Sequence, residues 1–126
     1  MNSVPLNDLT WDDVLTRDNL IGGDFEIQYS NKTFRGPIEL IESRGGYIWI
    51  TTAWTAVMEE GAPTWRFYKV KGSVNEFFVQ PRDAHPAETQ EGYITFKIPY
   101  IGMVTIFPAG ENNLDLRQVL ELSNPA

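Results

Sequence analysis

The chain has 126 residues, 42% of them hydrophobic and 21% charged, with a formal net charge of −7 at pH 7. That balance predicts one globular domain able to bury roughly two-thirds of its unfolded surface. It has no cysteine and one histidine, which excludes disulfide frameworks, thiolate catalysis, thiolate zinc sites and any site needing two imidazoles.

Leu6 to Asn19 reads as one short helix, because Thr10-Trp11-Asp12-Asp13 is a capping-box pattern that places carboxylates at the positive helix end. Gly22-Gly23 ends it. Phe25, Ile27 and Tyr29 alternate with Glu26, Gln28 and Ser30, the period of a half-buried strand. After a turn at Ser30-Asn31-Lys32, Phe34, Ile38 and Leu40 continue on a second strand. Gly36-Pro37 within it predicts a sharp bend or a close approach of backbone. Ser43-Arg44-Gly45-Gly46 reads as a tight loop and Tyr47 to Met58 as a long third strand.

Residues 59–91 break this rhythm and read as an insertion: a strand from Thr64 to Val70, a short partner strand from Glu76 to Gln80, and a polar loop from Pro81 to Glu91. Alternation returns at Gly92, with Ile94, Phe96 and Ile98 on one side. Pro99 to Gly102 turns, and Met103 to Phe107 is the last strand. Leu116, Val119 and Leu120 have the i, i+3, i+4 spacing of a short helix in a tail spanning 108–126. The expected whole is one mainly β domain over 1–126: a short N-terminal helix within 1–23, barrel strands in 24–58 and 92–107, and a small, strongly bent five-stranded antiparallel barrel carrying a β-hairpin insertion. No apolar stretch is long enough for a membrane span. Met1 to Leu20 lacks the basic start and apolar core of a secretory leader, so a cytoplasmic protein with no membrane partner is expected.

Charge is uneven. Met1 to Asp24 holds five acids against one base, Glu59 to Glu91 six acids against four bases, and Gly92 to Phe107 only Lys97. Acidity of the whole disfavours sequence-independent binding to phosphate, while leaving room for one neutral or basic face.

From Leu20 to Trp49 the order of residue types resembles the first signature of the Sm/LSm family. Phe25, Ile27 and Tyr29 look like its first strand, Gly36 and Ile38 match its Gly-x-Leu pair, and Glu42 falls where the family has Asp. Tyr100-Ile101-Gly102 leading into Met103 to Ile106 looks like the second signature. The chain departs from the family at Gly45-Gly46, which replaces Met-Asn, and at Ile101, which replaces a base-stacking arginine. The resemblance implies a barrel of the Sm-like or SH3-like kind, a homo-oligomeric ring in which the fourth strand of one subunit pairs with the fifth of the next, and a central opening for single-stranded RNA or DNA. No cofactor is implied.

The candidate nucleic-acid residues are Arg44, Gly45, Gly46, Tyr100, Lys97 and Arg35. Arg44 is either a base-stacking guanidinium or an exposed turn arginine. Tyr100 either stacks on bases or packs between subunits, and Lys97 and Arg35 are phosphate contacts or solvated strand bases. Met103 to Phe107 has no charge and no proline, the features of an edge strand open to pairing. It therefore supplies the candidate oligomer interface: Met103, Val104, Ile106 and, beside them, Ile94 and Phe96. Trp65, Phe67, Tyr68, Phe77 and Phe78 crowd the insertion and call for a packing partner. His85 with Asp83 and Glu88 reads as a solvated loop rather than a metal site, and one histidine in such a loop builds no nucleophile–base pair. Two functions follow: a non-catalytic Sm-like ring that binds single-stranded nucleic acid in RNA or DNA processing, or an oligomeric protein–protein interaction or structural module using the aromatic insertion. A small-ligand barrel is third.

Overall fold

The fold was analysed in a computed structural model that describes residues 5–69, 75–99, 101–110, 113–115, 117 and 119–120. It is mainly β. The strands are β1 (Pro5–Asp8), β2 (Asp24–Tyr29), β3 (Lys32–Arg44), β4 (Tyr47–Thr52), β5 (Thr55–Glu59), β6 (Ala62–Lys69), β7 (Asn75–Val79), β8 (Ala87–Thr89), β9 (Ile94–Ile98), β10 (Gly102–Phe107) and β11 (Val119–Leu120). Among the described residues one α-helix, α1 (Trp11–Leu15), sits between β1 and β2, and a single 3-10 turn spans Pro81–Asp83. Among the described residues no helix is long and apolar enough to cross a membrane.

Helix α1 begins where the capping box puts it. The Thr10 hydroxyl accepts from the Asp13 N–H at 3.0 Å and the Asp13 carboxylate accepts from the Thr10 N–H at 3.2 Å, satisfying two donors that a helix start otherwise leaves open. The helix is shorter than expected, because Pro5–Asp8 instead forms β1 and pairs with β8. Val14 is fully buried, and the Trp11 indole N–H donates to the Ala84 carbonyl at 2.8 Å while its ring meets Phe96 edge-on.

The sheet is organised by one bend. The first half of β3 pairs with β2 on one side and β5 on the other; its second half pairs with β4 alone. Between the halves, a Cβ on Gly36 would stand 2.4 Å from the Trp54 carbonyl oxygen, so only glycine admits this approach. Pro37 lacks a donor at the same place, and the register slips between Ile38 and Leu40. β4 and β5 are the facing arm of this hairpin, broken at Ala53-Trp54. Its two-residue tip, Gly45-Gly46, has φ of +62° and +85°, the left-handed pair that a tight hairpin of this kind demands. β6 and β7 form a third arm, pairing with β5 and β4 respectively.

Four expectations are corrected here. In place of a five-stranded barrel, the described residues form one sheet of eleven strands that does not close, in the order β1-β8-β9-β10-β2-β3-β5-β6-β11, with β4 and β7 branching from β3. The insertion is no separate hairpin: β6 and β7 pair with β5 and β4 and are integral to the sheet, and the polar loop carries β8. The tail residues Val119 and Leu120 lie in a strand parallel to β6; Leu116 falls outside the described residues. Most consequentially, β10 is no edge. It lies between β2 and β9, bonded to both, so neither of its sides is left open for another chain.

The bend folds β3–β4–β7 over β2, β9 and β10. The main core fills the space between: Ile38, Ile48, Ile50 and Val79 from one layer, Phe25, Ile94, Phe96, Val104 and Ile106 from the other, closed by Val14 and Leu20. A second, smaller cluster of Trp54, Ala56 and Val119 lies on the other side of β5 and β6, packed by Trp65, Phe67 and Leu114.

Candidate functional site

The predicted nucleic-acid residues do not converge. Arg44 ends β3 instead of lying in a loop, because the turn needs only the two glycines after it. Its guanidinium is 3.4 Å from Glu42 and 3.2 Å from Glu76, and lies 4.3 Å above the Trp49 ring. Arg35 sits before the bend, about 30 Å of strand away. It is held in a nearly closed environment, with its side chain 14% exposed, 2.8 Å from Asp24 and 3.6 Å from Glu26, over the ring of Phe107. It is a structural cation. Lys97 is exposed on β9, and Tyr100 lies outside the described residues.

Asp24 and Glu26 share that one guanidinium. Burial pushes both carboxyls above their ordinary values; Arg35 pulls in the other direction on each, as does the Leu114 N–H that donates to Asp24 at 2.6 Å. This is the arrangement of a packed ion cluster.

The predicted interface residues are consumed by the fold. Ile94, Phe96, Val104 and Ile106 are buried in the core and Met103 alone is exposed, as the internal position of β10 requires. His85, Asp83 and Glu88 do not assemble, and among the described residues no group of three His, Cys, Asp or Glu is placed to hold a metal.

What the sequence did not reveal is the outer face of β3–β4–β7. Strand alternation sends Ile48, Ile50 and Thr52 inward and Tyr47, Trp49 and Thr51 outward. Phe78 on β7 stands opposite Trp49 in the ladder, ring centroids 4.7 Å apart, with Tyr47 at 5.1 Å on its other flank. Phe78 is nevertheless 52% exposed. Among the described residues β7 pairs with β4 only, so among them the ladder ends at β7.

The inner face of the same strands bounds a cavity of about 450 Å³. Phe25, Ile27 and Tyr29 of β2 and Phe34 of β3 form one wall, Phe77 of β7 the other, and Thr52 and Thr55 face it from β4 and β5.

No family model, no curated protein and no solved structure matches this chain.

Proposed function

We propose that this is a non-catalytic interaction module that assembles with a second copy of itself through the open edge of β7. The observation that carries the reading is a five-residue edge strand, Asn75-Glu76-Phe77-Phe78-Val79, bearing a half-exposed phenylalanine. It has no proline, no lysine and, in its pairing with β4, no bulge; Glu76 is its one charged residue, and it is held by Arg44 at 3.2 Å. Two such strands brought together antiparallel about a two-fold axis at Phe77 place each Glu76 opposite the other copy's Phe78. The two Phe78 rings then become diagonal neighbours across the join, and the contact is isologous and closed. The edge pairing expected from the sequence is thus kept, but moved from β10 to β7.

The Sm-like reading, a ring around single-stranded RNA or DNA, is supported by the Arg44 guanidinium stacked on Trp49 at a hairpin tip. Against it stand the two carboxylates flanking Arg44, the burial of Arg35 and the acidity of the chain, each of which disfavours phosphate.

Light scattering across a concentration series decides the matter. The expected result is a mass that rises toward twice the chain mass, and a mass that stays at one chain in Phe78→Lys. Leu40→Lys, on the same face but separated from β7 by β4, leaves association intact. A monomer at every concentration overturns the proposal. So does binding of a labelled single-stranded oligonucleotide that weakens with salt and is lost in Arg44→Ala, which returns the choice to the nucleic-acid ring.

A further inference from the structure

Aromatic rings dominate the lining of the cavity of about 450 Å³ described above: Phe25, Tyr29, Phe34, Tyr68 and Phe77. Phe25 and Phe77 have ring centroids 5.2 Å apart with planes inclined by 47°, and Tyr68 meets Phe34 edge-on at 5.0 Å. Neither pair is stacked face to face, so neither ring of a pair fully covers the other. Tyr29 faces Lys32 in the β2–β3 register, which makes it the diagonal neighbour of Phe34 on the same side of the sheet. Tyr29 and Tyr68 stand at the mouth, 49% and 54% exposed, and Phe25, 3% exposed, at the floor. None of the described lining residues is basic. The one acid among them, Glu76, turns its carboxylate to the outer face, 3.2 Å from the Arg44 guanidinium and 3.3 Å from the Thr51 hydroxyl, and the Thr52 hydroxyl is closed off within the wall. The interior therefore offers a ligand rings in place of a charge.

We infer that this cavity binds a small organic cation carrying a trimethylammonium group, held by cation–π attraction to Tyr29, Phe34, Tyr68 and Phe77. The face of an aromatic ring is electron-rich, and its attraction for a cation strengthens as water is removed from around the charge. A trimethylammonium group gives up water more readily than a bare ammonium and packs its methyl groups on the rings. The net charge of −7 draws cations toward the chain and disfavours carboxylate and phosphate ligands. A neutral ligand gains only burial from the same walls, so charge is what the site discriminates. The volume of the cavity is in the range that encloses whole small ligands, which assigns it to a free molecule instead of the tip of a modified side chain. The site does not rest on self-association: alternation along β7 puts Phe77 on the cavity side and Phe78 on the outer face.

The test is titration of the isotope-labelled full chain with acetylcholine and with its uncharged carbon isostere, 3,3-dimethylbutyl acetate, followed by backbone amide shifts. Acetylcholine should saturate with shifts gathered on β2, β3, β6 and β7, and should bind about three- to thirtyfold more tightly than the isostere. Tyr68→Leu, which keeps the wall apolar but removes the ring, should reduce that preference. Tyr68→Phe should keep it, and Glu76→Gln should leave it unchanged. Absence of saturable acetylcholine shifts on those strands overturns the site, and equal or tighter binding of the isostere overturns the assignment to a cation. A preference undiminished in Tyr68→Leu, or lost in Glu76→Gln, overturns the rings as its source. A trimethyllysine peptide that binds the same strands more tightly than acetylcholine overturns the assignment to a free small molecule. Should Tyr68→Leu not fold, Tyr29→Leu, the other ring at the mouth, is read in its place by the same criteria.

Discussion

Arg35→Met is the sharpest probe of how β2 and β3 are held together beneath the segment that carries Leu114. The arginine side chain is 14% exposed, Asp24 only 2% and Glu26 15%, so the substitution strands one buried and one largely buried carboxylate. Breaking a buried pair by removing one partner costs about 3–5 kcal/mol. Asp24 keeps the Leu114 N–H and methionine keeps much of the stem packing on Phe107, so the expected loss at neutral pH is about 3 kcal/mol. That is a large share of the roughly 5–15 kcal/mol by which domains are stable. The sign with pH follows from the carboxyls. Burial already raises Asp24 above its ordinary 3.8 and Glu26 above its ordinary 4.5, so between those values and the raised ones the folded state binds more protons than the unfolded. These two groups therefore make the fold more stable as pH falls through that window. Without Arg35 both rise further, protonation relieves more buried charge, and the cost of the substitution shrinks on acidification. Urea unfolding followed by tryptophan fluorescence, in parent and variant at pH 7 and pH 5, measures both effects. A loss below about 1 kcal/mol at pH 7, the scale of an exposed ion pair, refutes the reasoning, as does a loss that grows at pH 5.

Gly36→Ala should cost about 1–3 kcal/mol or more by overpacking, since its Cβ would lie 2.4 Å from the Trp54 carbonyl oxygen and 3.2 Å from the Phe25 ring; a thermal melt equal to the parent's would mean that the bend is not rigid. Thr10→Ala should lower stability by about 1 kcal/mol through loss of the cap, read as a small drop in melting temperature with no change in association.

Local patterns made parts of this fold legible before any coordinates. The Thr10 capping box, the alternation of β2 and β9, the Gly36 bend and the Gly45-Gly46 turn all depend on neighbours a few residues away. The rest depends on distant ones. Ala53-Trp54 divides the expected third strand with neither glycine nor proline to mark it, so the fact that β6 and β7 continue one long arm was hidden. The spacing of Leu116, Val119 and Leu120 imitates a helix turn, yet two of these residues are in a strand against β6, where the side-chain partners and not the period decide. Arg44 looked available because Glu76 is 32 residues away in sequence, and Met103 to Phe107 looked like an edge because nothing local announces two strand partners.

The ties that join distant parts of the chain have a consequence for biosynthesis. Leu114 reaches Asp24 across 90 residues, Trp11 reaches Ala84 across 73, and Arg17 reaches Glu88 across 71. While the chain emerges from the ribosome, the meander of β2 to β7 forms from close neighbours, but α1 waits for its anchor at Ala84 and β10 has yet to cover the free side of β2. For most of translation the nascent polypeptide thus displays an unfinished apolar surface, which closes only slowly because its contacts are non-local.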